Sequence, residues 1–253
     1  MGWIQALVLG ILQGLTEFLP VSSSGHLVIG QELMDITISG YEFEVMVHMG
    51  TLFSVLVIFR WDIFKLFTTL DKNETRQDIL SLIAGTIPAI IAGVLFKDEI
   101  NKLFDNVGYV GIALICTGVV LLISKVFKGN RSSVPISIGF AIGLFQSLAI
   151  IPGLSRSGLT ISGALALGIL PEKAARFSFL LSIPIILGAG ILTAYEIESY
   201  EKLSMAVMVA GFFSSFIVGL FALKWLLRWL KSGRFFWFGF YCLFIGILTL
   251  FFS

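Results

Sequence analysis

Charge is what this sequence has least of. Lys, Arg, Asp and Glu make up 13% of its 253 residues, against 57% hydrophobic ones, and the mean hydropathy is +0.98. That shortage excludes an ordinary soluble domain, in which about a quarter of residues are charged, and leaves the composition of a polytopic membrane protein. A formal net charge of +1 offers no basic surface, so no nucleic-acid partner is expected. Cysteine is almost missing. Cys116 and Cys242 sit in apolar runs without metal-ligand spacing, and they read as small buried hydrophobes rather than as ligands or a disulfide. The opening stretch MGWIQALVLGILQG lacks a basic n-region and a convincing cleavage site, so it reads as retained structure and not as a signal peptide.

What is present is long apolar runs. A helix needs about 20 apolar residues to cross the hydrocarbon core, and six segments approach that: 43–60, 79–96, 108–126, 174–194, 204–224 and 235–252. Residues 3–18 and 135–151 are apolar too, but each stops at a proline, Pro20 or Pro152, and a Ser/Gly turn and a second short apolar segment come next. At about 1.5 Å per residue such arms reach only about 25 Å, short of the core thickness of about 30 Å. The pattern predicts two re-entrant helical hairpins, whose broken backbone is tolerated where it lines a protein cavity.

The few basic residues test this layout. With both hairpins returning to their starting side, connections 60–78, 124–134, 170–176 and 224–235 share one face and hold 13 of the 17 Lys and Arg. The other face has Lys97, Lys102 and Lys202, and Arg156 lies inside a hairpin. By the positive-inside rule the rich face is cytoplasmic, with both termini outward.

A constant offset of 133 residues sets GILQGLTEFLPVSSSG (10–25) on GLFQSLAIIPGLSRSG (143–158), aligning Gly10, Gln13, Leu15, Ser22, Ser24 and Gly25 with Gly143, Gln146, Leu148, Ser155, Ser157 and Gly158. The expected fold is therefore all-α in one membrane domain, 1–253: an inverted-topology repeat of about 1–128 and 134–253, each copy one hairpin and three spans. Such repeats place their site at the interface of the halves.

The hairpins carry the chemistry. Ser22, Ser23 or Ser24 can cap the helix after Pro20, and Ser155 or Ser157 the one after Pro152. Two helix N-termini that meet there favour an anion, and Arg156 adds a side chain shaped for phosphate. Glu17 shares a helix face with Gln13, four residues earlier, and Ser23 shares one with His26. A carboxylate among apolar residues is costly unless partnered, so Glu17 reads either as a lock on Arg156 or as a functional acid. His48, in FEVMVHMGT, reads as a packing or hydrogen-bonding residue. Together the parts suit attack of a serine hydroxyl on phosphorus, with Glu17 or His26 handling the proton and Arg156 stabilising phosphoryl charge. Mg²⁺ could sit between Glu17 and substrate phosphates, although one carboxylate alone makes a poor metal site.

At these residues the sequence resembles the undecaprenyl-diphosphate phosphatase family, the bacterial bacitracin-resistance membrane proteins. QGLTE, with Gln13 and Glu17, runs into FLPVSSSGH as the first family motif, and PGLSRSG (152–158) is the second. The likeness extends over essentially the whole chain, through FEVMVHMGT and FSFLLSIPI. It implies hydrolysis of undecaprenyl diphosphate to the monophosphate lipid carrier of cell-wall synthesis in the bacterial inner membrane, with Mg²⁺ or Ca²⁺ and an outward-facing site. By position, Ser23 resembles the proposed nucleophile, Glu17 the metal- or proton-handling acid, His26 a catalytic partner and Arg156 the phosphate-binding arginine. Ser22, Ser24, Gly25, Ser155, Ser157, Gly158 and Gln13 would line the substrate site. Gln13 stands where some members have a second Glu, which weakens metal binding at that position. An inverted repeat with broken helices also suits a transporter, so flipping of the lipid phosphate is the alternative. Gly139 and Gly143 in GFAIG permit close helix packing, either within the chain or in a homodimer.

Overall fold

The computed structural model describes residues 1–36, 42–104, 106–196 and 204–252. Every regular element among them is a helix. The first arm is α1 (Trp3–Thr16), and after a turn through Pro20 the chain returns as α2 (Ser23–Leu33). Then come α3 (Glu42–Ile58), α4 (Arg60–Thr68), α5 (Asn73–Leu95), α6 (Lys97–Phe104) and α7 (Val107–Ser124). Beyond these lie α8 (Ile136–Leu148), α9 (Arg156–Ala166), α10 (Pro171–Glu196), α11 (Met205–Lys231) and α12 (Trp237–Phe252).

Four helices are long and apolar enough to cross a bilayer, α5, α7, α10 and α11, and α3 with α4 makes a fifth candidate bent by 69°. The apolar segments of the sequence mark every one of these helices, but their ends differ. α5 begins at Asn73 and α11 runs on to Lys231, because helix formation does not stop where the apolar run does: Lys224, Arg228 and Lys231 continue α11 past its apolar stretch. α12 has 16 residues and falls below spanning length by that measure. The short α4 and α6 were hidden in connections because their charged composition carries no membrane signal; α4 is tied to α10 by the Asp62–Arg176 ion pair at 2.8 Å.

The outside of the bundle is apolar and polar side chains turn inward, the reverse of a soluble protein. Phe221 and Val94 are exposed, while Gln13, Ser54, Ser81 and Ser215 are fully buried. Small residues let the helices approach closely. α1 packs along α11, where Gly14 faces the backbone of Ser215 and Gly219, and α8 packs along α5, where Gly139 faces Ser81 and Gly143 faces Gly85. Gly139 and Gly143 are thus used in a contact within the chain. α7 and α12 cross glycine on glycine, Gly111 against Gly246 and Gly118 against Gly239. A ring cluster of Phe18, Phe59 and Phe179 closes the core beneath the first hairpin.

Candidate active site

The two hairpin tips touch. A Cβ on Gly25 would stand 3.1 Å from Gly153, one on Gly158 would stand 3.3 Å from Pro20, and Ser157 donates a hydrogen bond to the Leu19 carbonyl at 3.3 Å. Glycine at 25 and 158 is what permits this approach. Each tip opens a helix with a serine cap: Ser22 Oγ accepts from the Gly25 N–H and Ser155 Oγ from the Gly158 N–H, at 3.4 and 3.1 Å. The next residue is then the first of its helix, Ser23 in α2 and Arg156 in α9. These two occupy equivalent positions, 133 residues apart, with divergent side chains.

Glu17 joins them. Its Oε1 accepts from Arg156 Nη2 at 2.6 Å; its Oε2 accepts from Ser23 Oγ at 2.6 Å and from Gln13 Nε2 at 3.1 Å. Glu17 is 8% exposed, and its negative charge is offset by the guanidinium and two neutral donors, as a buried carboxylate requires. Arg156 keeps a donor in reserve, because Nη1 is buried without a partner among the described residues. The group faces a cavity of about 630 Å³ lined by Glu17, Ser22, Ser23, Ser24, Ser155 and Arg156 on the polar side. Its walls are apolar, with Ala89, Ile90 and Val94 from α5 and Ile185, Ala189 and Leu192 from α10.

His48, read from the sequence as a packing residue, belongs to this cavity. Its Nε2 lies 3.7 Å from Glu17 Oε2, and its Nδ1 is held at 2.7 Å from the Glu44 carbonyl oxygen. Glu44 lines the cavity as well and accepts from Gln31 at 3.4 Å. The signal that could have found them is the pair itself, two ionisable residues four apart near the start of an apolar span. His26 goes elsewhere. It does not line the cavity: Nδ1 sits 2.8 Å from the Ser22 carbonyl oxygen and Nε2 2.8 Å from the Tyr241 hydroxyl. Gln13 lies buried behind Glu17, and Ser157 and Gly158 lie in the contact between the tips. Among the described residues no three His, Cys, Asp or Glu side chains gather as a metal site.

The class these features define is a polytopic helical membrane protein with a buried carboxylate, serine and guanidinium between two hairpin tips. The chain belongs to the family described as bacitracin resistance protein BacA, whose model matches residues 6–248. It is 40% identical to undecaprenyl-diphosphatase 3 of Bacillus anthracis, over 98% of this chain and 97% of that one. It is also 40% identical to the undecaprenyl-diphosphatase of Carboxydothermus hydrogenoformans, over 99% and 97%, and 39% identical to that of Christiangramia forsetii, over 98% and 97%.

Proposed function

We propose that this protein hydrolyses undecaprenyl diphosphate to undecaprenyl phosphate and inorganic phosphate, and so contributes to bacitracin resistance. The observation that carries the reading is the carboxylate of Glu17 bonded at once to a serine hydroxyl and a guanidinium, in a cavity that sets a polar end against apolar walls from α5 and α10. A diphosphate on a long apolar chain matches both parts, and the relatives are named for this hydrolysis rather than for lipid transport.

Ser23 Oγ attacks the terminal phosphorus as Glu17 Oε2, 2.6 Å away, takes its proton. A Ser23–phosphate bond forms, the bond from phosphorus to the bridging oxygen breaks, and the lipid monophosphate leaves with the electron pair. Water then attacks the phosphoserine, giving inorganic phosphate and restoring the serine. Arg156 answers the charge on the phosphoryl oxygens with its free Nη1, while Nη2 keeps Glu17 in place. The capped starts of α2 and α9 add backbone N–H groups and favourable dipole ends. Ser22, Ser24 and Ser155 line the phosphate end.

A divalent cation, Mg²⁺ or Ca²⁺, fits this donor set only as a guest shared with the substrate. Glu17 and Glu44 are the carboxylates facing the cavity, and phosphate oxygens would have to complete its shell. Bound there, it would neutralise charge on the leaving phosphate.

The inverted repeat of about 1–128 and 134–253 is supported by the exchange of partners, α1 on α11 and α8 on α5, and by the paired contacts of Gly25 with Gly153 and Gly158 with Pro20. On this reading the two hairpins are re-entrant and six helices cross. The cavity is lined by the N-terminal end of α3, the C-terminal halves of α5 and α10, and Ile100 of α6, the end of the bundle poor in Lys and Arg. The positive-inside rule puts that end outside the cytoplasmic membrane.

The test is phosphate release from undecaprenyl diphosphate by detergent-purified protein, with and without EDTA, comparing wild type with Glu17→Gln. The expected result is metal-dependent release that the substitution abolishes. A folded wild type that releases no phosphate overturns the reading, and release that EDTA leaves intact removes the cation from it.

A further inference from the structure

Position 22 is where the two halves part company. Ser22 has φ 68° and ψ 99°, a left-handed conformation uncommon outside glycine, while its counterpart Ser155 has an ordinary φ of −77°. His26 marks a second difference, since the residue 133 positions on is Leu159. The two differences meet in one hydrogen bond. His26 Nδ1 donates to the carbonyl oxygen of the strained residue at 2.8 Å, which sets the proton on Nδ1 and leaves Nε2 to accept from the Tyr241 hydroxyl at 2.8 Å. The ring planes are nearly parallel, 11° apart with centroids 5.7 Å apart, and His26 is buried. The neighbouring Cys242 also points its Sγ at this tip, 3.5 Å from the Pro20 carbonyl oxygen. Behind the second tip a single threonine suffices: Thr117 donates to the Gly153 carbonyl at 3.0 Å and accepts from the Ser155 N–H at 3.1 Å. There the left-handed residue is Gly153 itself, at φ 93°, which adopts it without steric cost.

From this geometry we infer that Tyr241 is a positioning residue for phosphoryl transfer: through His26 it holds the left-handed turn at Ser22, which presents the adjacent Ser23 hydroxyl to Glu17. The inference rests on the hydrolase reading above. It assigns to α12 a task in the reaction without any contact with substrate, since neither Tyr241 nor His26 lines the cavity. It also explains why a histidine with both ring nitrogens engaged stands beside the site instead of in it.

Two arms test it. In the phosphate-release assay, Tyr241→Phe lowers kcat by about tenfold at unchanged KM, the upper end of what one hydrogen bond contributes. Glycine accepts φ 68° without strain, so in a Ser22→Gly background the further loss from Tyr241→Phe falls to about twofold or less. A general loosening of α12 would instead cost the same in both backgrounds, and that result overturns the inference, as does wild-type kcat in Tyr241→Phe. The second arm needs no turnover. The chain has two histidines, so ¹⁵N spectra of histidine-labelled protein, assigned with His48→Gln, report on His26 alone. The wild type shows the Nδ1–H tautomer with a hydrogen-bonded Nε2, and Tyr241→Phe shifts that Nε2 signal; an unmoved signal refutes the contact. A folded wild type that releases no phosphate overturns the hydrolase reading, and the catalytic consequence with it, while the nitrogen spectra still decide the contact.

Discussion

Arg156→Lys separates the two tasks given to one guanidinium. Nη2 holds Glu17 at 2.6 Å and Nη1 is free for a phosphoryl oxygen. An ammonium keeps the charge but is a single point on a flexible stem, so it serves Glu17 or the phosphate, not both in one geometry. A hydrogen bond to a charged group contributes about 1.5–3 kcal/mol, so kcat/KM should fall by roughly 10- to 150-fold. Stability should hold, since Glu17 keeps a cationic neighbour. Arg156→Ala differs on both counts. The Arg156 side chain is 15% exposed and that of Glu17 6%, and stranding a buried charge costs about 3–5 kcal/mol, so the alanine variant should unfold earlier as well as lose turnover. The assays are phosphate release from undecaprenyl diphosphate and thermal unfolding in detergent. A lysine variant with wild-type kcat/KM would refute the forked grip, and an alanine variant with unchanged melting would refute the stranded-charge argument.

Ser23→Ala should cut turnover by on the order of a hundredfold or more, because the attacking oxygen is lost, whereas Ser22→Ala loses chiefly a cap; equal, mild losses would shift the attack to water. His48→Ala, removing a ring 3.7 Å from Glu17, should lower kcat about tenfold, and wild-type kcat would return His48 to a packing role. Gly143→Leu drives a side chain into the backbone of Gly85 and should cost about 1–3 kcal/mol or more in the same melting assay; an unshifted melt would mean that α5 and α8 do not cross there.

How much of this could be read from the sequence depended on whether one chain position carried the information. The hairpins were legible because proline, serine and glycine punctuate an apolar run within ten residues, and serine capping then sets where the returning helix starts. Glu17, Ser23 and Arg156 were legible because a carboxylate and a guanidinium inside apolar surroundings must find partners, and the likeness of 10–25 to 143–158 pointed each stretch at the other. Where the two histidines lie relative to Glu17 was not legible, for a common reason. Side-chain direction around a helix is set by the turn before it, and φ 68° at Ser22 is not written in the identity of a serine. That turn aims Ser23 at Glu17 and sends His26, three residues on, to the back of the tip, where it meets Tyr241 from the far end of the chain. His48 reached the cavity from α3, a helix whose apolar composition said only that it spans. Adjacency in sequence favoured the wrong histidine as a neighbour of Glu17: what decides the matter is a backbone dihedral together with a contact 215 residues away, and neither leaves a local signal in the chain.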